Sequence, residues 1–324
     1  HCGCNYEFTL NTTEAEDAIT PKFARTEHAP SQEEIDAHEI AHWPYRSWCP
    51  SCVQGAAVND PHTRGNHTSE IPITSIDYSF LSSEEQDSEG TMPVLNIKDS
   101  WSKKVAAEIV PRKGNNEYAL EVLTEFIKQT GYKRIILKSD QEPAILSLKD
   151  CAASALPYVN ITMETSPVGE SSSNGIIESQ IRRTTALIRA HKSCLESHLK
   201  KTLEADLDII PWIVRHCAKI FNYYRRNADG RTPWEVEKGR KFNKQMAIVG
   251  ESIWFLLPSS LGKQKLDVRW STGIWLGVHE ESGEYLIGTP HGIAKARTFK
   301  RKSTDESRWS FEELSNIKGT PWQP

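Results

Sequence analysis

From Ile71 onward the chain alternates short apolar runs with amphipathic stretches, and this order restricts the fold more than any other feature. "IPITSIDYSFL" at 71–81, "MPVLNIKD" at 92–99 and "KKVAAEIVP" at 103–111 read as three consecutive strands. "NNEYALEVLTEFIKQTG" follows at 115–131, with Ala119, Val122, Leu123, Phe126 and Ile127 at helical spacing and Gly131 placed to close the helix. "KRIILKS" at 133–139 reads as a buried strand, "EPAILSLKDCAASAL" at 142–156 as a helix with Pro143 in its first turn, and "VNITMETS" at 159–166 as another strand. Helical segments at 174–204 and 209–226 complete the series. Strands that follow one another directly pair as hairpins, whereas strands separated by helices join by parallel crossovers. The expected fold class is therefore α/β, a mixed sheet flanked by helices.

The flanks differ in pattern. Residues 1–30 are polar and read as a leader or linker, and 31–66 hold a short helix signal and a cysteine pair. The α/β region spans 68–230 and a connector spans 231–247. At 248–302, "ESIWFLLP", "RWSTGIWLGVH", "GEYLIGTP" and "GIAKARTFK" are short runs with Gly and Pro turns, the pattern of a small β-barrel. Residues 303–324 form a tail, expected to dock or to lead to a further domain.

A chain of 324 residues with 38% hydrophobic and 25% charged residues is long enough for several packed units. It contains no apolar run of the roughly 20 residues that a bilayer span requires, so no membrane partner is expected. The opening "HCGCNYEFTL" lacks the basic start and apolar core of a signal peptide. Because the chain opens on His1, a fragment of something longer is expected. The net charge of −4 does not suggest a nonspecific nucleic-acid binder, but basic residues gather at 182–201 and 295–302, and local patches decide polyanion binding. "SSEEQDSE" at 82–89 reads as a solvated acidic loop. Seven cysteines spread over this length do not resemble a disulfide framework. Cys151, Cys194 and Cys217 fall in helical segments and read as small buried residues.

Three carboxylates stand out by position. Asp77 interrupts an apolar strand, Asp140 ends one, and Glu178 sits in the first turns of the long helix. An Asp after a strand usually caps a helix or forms a turn, and Glu178 could pair with Arg182 four residues on. A mid-strand Asp without a partner is unfavourable, so Asp77 weighs against the ordinary reading of the set. Ligands bind where neighbouring strands of an α/β sheet end. Carboxylates gathered there require protons or cations, and hard oxygen-ligated Mg²⁺ suits them. Two such ions about 3.5–4 Å apart can activate a nucleophile and stabilise a leaving oxygen.

"HEIAHWPYRSWCPSC" places His38 and His42 at i, i+4, followed by Cys49 and Cys52 as C-x-x-C. Two nitrogen and two sulfur donors within 15 residues suit a tetrahedral structural Zn²⁺. A segment this short needs such a staple, and zinc is preferred over a redox C-x-x-C.

Along the long helix, Ile177, Ile181, Ile188, Leu195 and Leu199 form an apolar seam, beside a stripe of Glu178, Arg182, Thr185, Arg189 and Lys192. Arg182, Arg189 and Lys192 are candidate phosphate contacts, and equally a solvated helix face. In the barrel segment Lys295, Arg297, Lys300, Arg301 and Lys302 form a denser basic patch near Trp270 and Trp275, the latter expected in the core.

The stretches "SIDYSF", "ILKSDQEPAI" and "SPVGESSSNGIIESQI" resemble the Asp, Asp, Glu signature of retrotransposon integrases, especially those of the copia type. "NYYRRNADGRTPWEVEKGRKF" is similar to the family's Thr-Pro-aromatic-Glu motif, and "KLDVRWSTGIWLGVHEESGEYLIGTPHGIAKARTFK" to its SH3-like segment. The resemblance covers residues 31–302 and implies a fragment of a Pol polyprotein. It implies a ribonuclease-H-like core with Asp77, Asp140 and Glu178 as the ligands of two Mg²⁺ or Mn²⁺ ions, a zinc-binding segment and an SH3-like barrel. By the same resemblance the chain is a polynucleotidyl transferase that trims cDNA 3′ ends and joins them to target DNA. The implied partners are double-stranded DNA, further copies of the chain and other Pol products such as reverse transcriptase. Nuclear action with a cytoplasmic particle stage is implied as well. A catalytically inactive or co-opted DNA-binding remnant and a ribonuclease-H-like nuclease are the alternatives. Two departures from the family stand out: 37 residues separate Asp140 from Glu178, slightly more than usual, and only six separate His42 from Cys49, far fewer than usual. Extra residues in the "GESSS" loop could absorb the first, and the second favours a compact knuckle over the usual three-helix module.

Overall fold

Ser31 opens the first described helix, α1 (Gln32–Glu39), through a reciprocal capping box with Glu34. After a short turn, Pro50 starts α2 (Pro50–Gly55). The computed structural model describes residues 29–56, 70–81, 92–165, 175–256 and 266–324. Cys2, Cys4, most of the leader, the linker at 57–69, the acidic run at 82–89 and the "GESSS" loop lie outside the described residues.

The expected α/β core forms. Strands β1 (Ile73–Ser79), β2 (Val94–Asp99) and β3 (Val105–Ile109) make an antiparallel meander. Strand β4 (Arg134–Ser139) joins β1 in parallel, and β5 (Asn160–Thr165) joins β4 in parallel, giving the order β3-β2-β1-β4-β5. Between them run α3 (Glu117–Thr130) and α4 (Pro143–Ala155). Asn116 caps α3 by accepting from the Ala119 amide at 2.9 Å, and Gly131 closes it at φ 69°, where a residue without Cβ is at ease. Ile76, Leu95, Ile97, Ile135 and Leu137 point to one face of the sheet and pack with Leu123, Ile127, Ile145 and Leu148 of α3 and α4. Side-chain alternation therefore sends Ser75, Asp77, Asn96 and Lys98 to the opposite face.

That opposite face is covered by α5 (Gly175–Leu199) and α6 (Ile209–Tyr224), which are joined by the connection at 200–208. The long helix ends at Leu199, five residues before the expected limit at 204. Of the expected seam, Ile177, Ile188 and Leu195 are buried, while Ile181 and Leu199 are half-buried. The α1–α2 segment sits on α5. Trp43 Nε1 donates to the Tyr224 carbonyl at 3.1 Å, and its ring meets Phe221.

Helix α7 (Pro233–Lys238) follows, starting on a Thr232–Glu235 capping box. The C-terminal sheet contains β6 (Ser252–Leu256), β7 (Trp270–Val278), β8 (Tyr285–Thr289), β9 (Gly292–Ala296) and β10 (Phe299–Arg301) in the order β10-β6-β7-β8-β9. Strands β9 and β10 are at opposite edges, yet only Arg297 and Thr298 connect them. A link that short spans about 11 Å at most, so the sheet must curl to bring its edges together. Trp275 is fully buried, as expected, and one continuous apolar core runs from α5 and α6 through Ile253, Trp275 and Ile287 of this sheet. The tail forms α8 (Asp305–Arg308) and α9 (Phe311–Ser315) and then packs back on the protein. Trp212 Nε1 donates to the Gly319 carbonyl at 2.9 Å, and Leu314 and Ile317 are buried. Among the described residues no helix is long and apolar enough to cross a membrane.

Candidate active site and metal centre

The parallel register of β1 and β4 pairs Ile73 with Ile136, Thr74 with Leu137 and Ser75 with Lys138. Strand β4 ends at Ser139, so Asp140 follows the strand that neighbours β1 directly, near enough to Asp77 to act on its carboxyl, while Asp77 itself faces α5. Glu178 stands in the first turn of α5, half-buried, on the helix that covers this face. Asp77 registers the proximity. Burial first, then Asp140, and to a lesser degree Glu178 and Glu142, raise its pKa from 3.8 to about 7, against a hydrogen bond from the Tyr78 backbone. The three carboxylates do not close to within 4.8 Å of one another, as two other groups do among the described residues. Asp140 also has the local role its position suggests, since its Oδ1 accepts from the Glu142 amide at 3.1 Å at the start of α4. No ion pair joins Glu178 to Arg182 among the described residues.

The sequence reading did not single out Lys98. It follows Asp77's partner Asn96 by two residues on β2, faces α5 and is buried. Its Nζ donates to Gln180 Oε1 at 3.4 Å, and Arg225 donates to the same oxygen at 3.2 Å. Burial, reinforced by Arg225, Arg183 and Lys103, lowers Lys98 to about 7. A lysine inside the apolar "VLNIKD" was the available signal.

His38, His42, Cys49 and Cys52 come together, all buried, with their ligand atoms within 4.8 Å of one another. His38 Nε2 lies 3.2 Å from Cys52 Sγ, and His42 Nδ1 lies 3.7 Å from both sulfurs. Hydrogen bonding between the two sulfurs pushes Cys49 far down and Cys52 far up, as when one proton serves two thiols. The local fold explains the convergence: His38 lies in the last turn of α1, His42 turns back at φ 46°, and Cys49 is the residue before α2. Two nitrogens and two sulfurs at these separations fit a tetrahedral Zn²⁺. The module rests on α5 through His191, whose Nε2 lies 3.3 Å from the Ala41 carbonyl and whose ring meets His42 edge-on.

The expected basic residues divide. Arg182 and Arg189 are exposed on α5, whereas Lys192 is paired with Glu196. In the C-terminal sheet Lys295, Arg297 and Lys300 are exposed, with Lys300 over the Trp270 ring at 5.1 Å. Arg301 pairs with buried Glu251 at 2.8 Å. Lys302 is buried, donates to Ser252 Oγ at 2.7 Å and lies 3.4 Å from Glu313.

Neither a protein-family model nor a curated protein sequence matches the chain. Solved structures give distant likenesses. The simian T-cell lymphotropic virus intasome in complex with PP2A regulatory subunit B56 gamma aligns at 14% identity and TM-score 0.34, over 72% of this chain and 81% of that one. The catalytic core domain of BIV integrase aligns at 18% and 0.36, over 52% and 93%. The HTLV-2 integrase catalytic core domain in complex with magnesium, in its dimeric form, aligns at 14% and 0.34, over 51% and 94%. Scores this low carry neither fold nor function across to this chain, so the functional reading rests on the site's own geometry.

Proposed function

We propose that this chain is the integrase of a copia-type retrotransposon, a metal-dependent polynucleotidyl transferase that trims cDNA 3′ ends and joins them to target DNA. One observation carries the reading. Asp77 on β1 lies within electrostatic reach of Asp140, just past the neighbouring parallel strand β4, and of Glu178 on the covering helix, and its carboxyl is raised to about 7 among them. A carboxylate held that high calls for a cation, and the oxygen-only donor set suits Mg²⁺ or Mn²⁺. When bound, two such ions supply nucleophile activation and leaving-oxygen stabilisation for in-line phosphoryl transfer.

In this reading Asp77 and Asp140 anchor the ions on the rigid sheet, and Glu178 completes the set from α5. His38, His42, Cys49 and Cys52 hold structural Zn²⁺. Residues 248–302 form an SH3-like barrel beside a ribonuclease-H-like core. The exposed Arg182, Arg189, Lys295, Arg297 and Lys300 contact DNA phosphates. Homo-oligomeric assembly on two DNA ends, association with reverse transcriptase, and nuclear action after a cytoplasmic particle stage belong to the same proposal.

Strand transfer of a blunt DNA end in Mg²⁺ or Mn²⁺ tests it. Asp77→Asn and Glu178→Gln are expected to abolish transfer while leaving fold and DNA binding intact. Transfer at near-wild-type rate in either variant overturns the assignment.

A further inference from the structure

The C-terminal half of α5 carries a second convergence of metal-ligating atoms, separate from the four-residue module. Cys194 and His198 are four residues apart on α5, so their side chains stand on one face, one turn apart. Glu39, the last residue of α1, reaches this face from the opposite side, and its Oε2 lies 2.9 Å from His198 Nε2. The Cys194 sulfur, the His198 nitrogen and the Glu39 oxygen all lie within 4.8 Å of one another. Ligand atoms of a tetrahedral Zn²⁺ stand about 3.3–3.8 Å apart, given metal–ligand bonds of about 2.0–2.3 Å. Little movement is therefore needed to bring the three onto one ion.

The surroundings fix these side chains. The His198 ring is stacked on Trp309, with centroids 4.1 Å apart and planes 8° from parallel, which sets the ring plane and leaves its edge toward Glu39. Cys194 is buried at 4% exposure, which shields the sulfur. The side chains of Glu39 and His198 are 23% and 24% exposed, so water reaches the nitrogen and oxygen side. An ion pair between Glu39 and His198 accounts for two of the three groups and leaves Cys194 as a packing residue only. A cation accounts for all three.

We propose that Glu39, Cys194 and His198 form a second metal site, a three-ligand Zn²⁺ site with one position left for water. The mixed O, S, N donor set selects a borderline-soft divalent ion over Mg²⁺ or Ca²⁺. Three protein ligands and an open fourth position distinguish it from the closed His₂Cys₂ centre. Bound there, the ion would tie the end of α1 to the last turns of α5, one residue along from the His38 ligand.

The test is the Zn²⁺ content of the full chain, with Co²⁺ absorption as a second readout. Each of Cys194→Ser, His198→Ala and Cys49→Ser is expected to lower the content by one equivalent relative to wild type. The Co²⁺ protein is expected to lose one thiolate charge-transfer contribution in both Cys194→Ser and His198→Ala, because each variant empties the site that Cys194 ligates. Zinc content unchanged in both Cys194→Ser and His198→Ala overturns this site and leaves the four-residue centre standing. Content unchanged in Cys49→Ser but lowered in the other two overturns the four-residue centre and leaves this one. His198→Ala removes no fully buried group, so it decides the matter even if Cys194→Ser fails to fold.

Discussion

Gly55 of α2 lies so close to Ala186 of α5 that a Cβ on the glycine would stand 2.6 Å from the Ala186 carbonyl oxygen. The next nearest atoms are the Ala190 amide nitrogen at 3.1 Å and its Cβ at 3.2 Å, so the obstruction is mostly backbone and cannot swing aside. Gly55→Ala should therefore push α2 off α5 and destabilise the protein by about 1–3 kcal/mol, despite the roughly 1 kcal/mol that alanine gains over glycine in a helix. A thermal melt checks it, and an unchanged or raised melting temperature would contradict the contact.

Asp77 makes stability depend on pH. Unfolded, its carboxyl releases a proton near 3.8; folded, it holds the proton up to about 7. Between these values the folded state binds more protons, so stability without Mg²⁺ falls as pH rises from about 4 to 7, and the full penalty stands above 7. Asp77→Asn removes the penalty, which is on the order of 2–4 kcal/mol. In Mg²⁺-free buffer the variant should melt higher than wild type at pH 8, with the difference shrinking toward pH 4. Equal melting at both ends would refute the raised carboxyl.

On the proposed zinc assignment of His38, His42, Cys49 and Cys52, loss of the metal should act locally. Cys49→Ser breaks the donor set of a segment whose other support is its seat on α5 and α6. Limited proteolysis should then cut within 31–56 first, while strand signals in circular dichroism persist. Cooperative loss of the whole fold would show that the module is not separable from the sheet.

The basic residues should separate by exposure. Lys300→Ala or Arg297→Ala is expected to weaken DNA binding uniformly across sequences and to flatten the salt dependence by about one phosphate contact. Lys302→Ala is expected to lower the melting temperature instead, because it leaves Ser252 and Glu313 without their buried partner. Titration of a DNA duplex at several salt concentrations, beside a thermal melt, distinguishes the two. A lowered salt slope with unchanged melting in Lys302→Ala would reverse its assignment.

Elements were legible where period and punctuation agreed. The meander, the α3 stop at Gly131 and the buried strand before Asp140 all follow from local pattern. Contacts between distant stretches were not. Arg301 and Lys302 read as a surface patch because their partners, Glu251 and Glu313, belong to other elements. Cys194 is buried, as its helical setting suggested, but its nearness to Glu39 was not legible because Glu39 lies far back in the sequence on α1. The site was half visible. Asp77 betrayed itself as a charge inside an apolar strand, but its nearness to Asp140 comes from the parallel pairing of β1 with β4, which no periodicity encodes. Lys98 escaped notice because the reading of that strand took its apolar residues as the whole signal.

Helix α5 has 25 residues, so it is a rod about 37 Å long. Glu178 rides near one end, Gly55 presses on its middle, and Cys194 and His198 lie toward the other end. A rigid rod works as a lever: a tilt of about 5° about its far end would swing its first turn through about 3 Å, the width of a metal–ligand shell. The N-terminal segment that presses on the middle of this rod is thus mechanically linked to the placement of a carboxylate near its end.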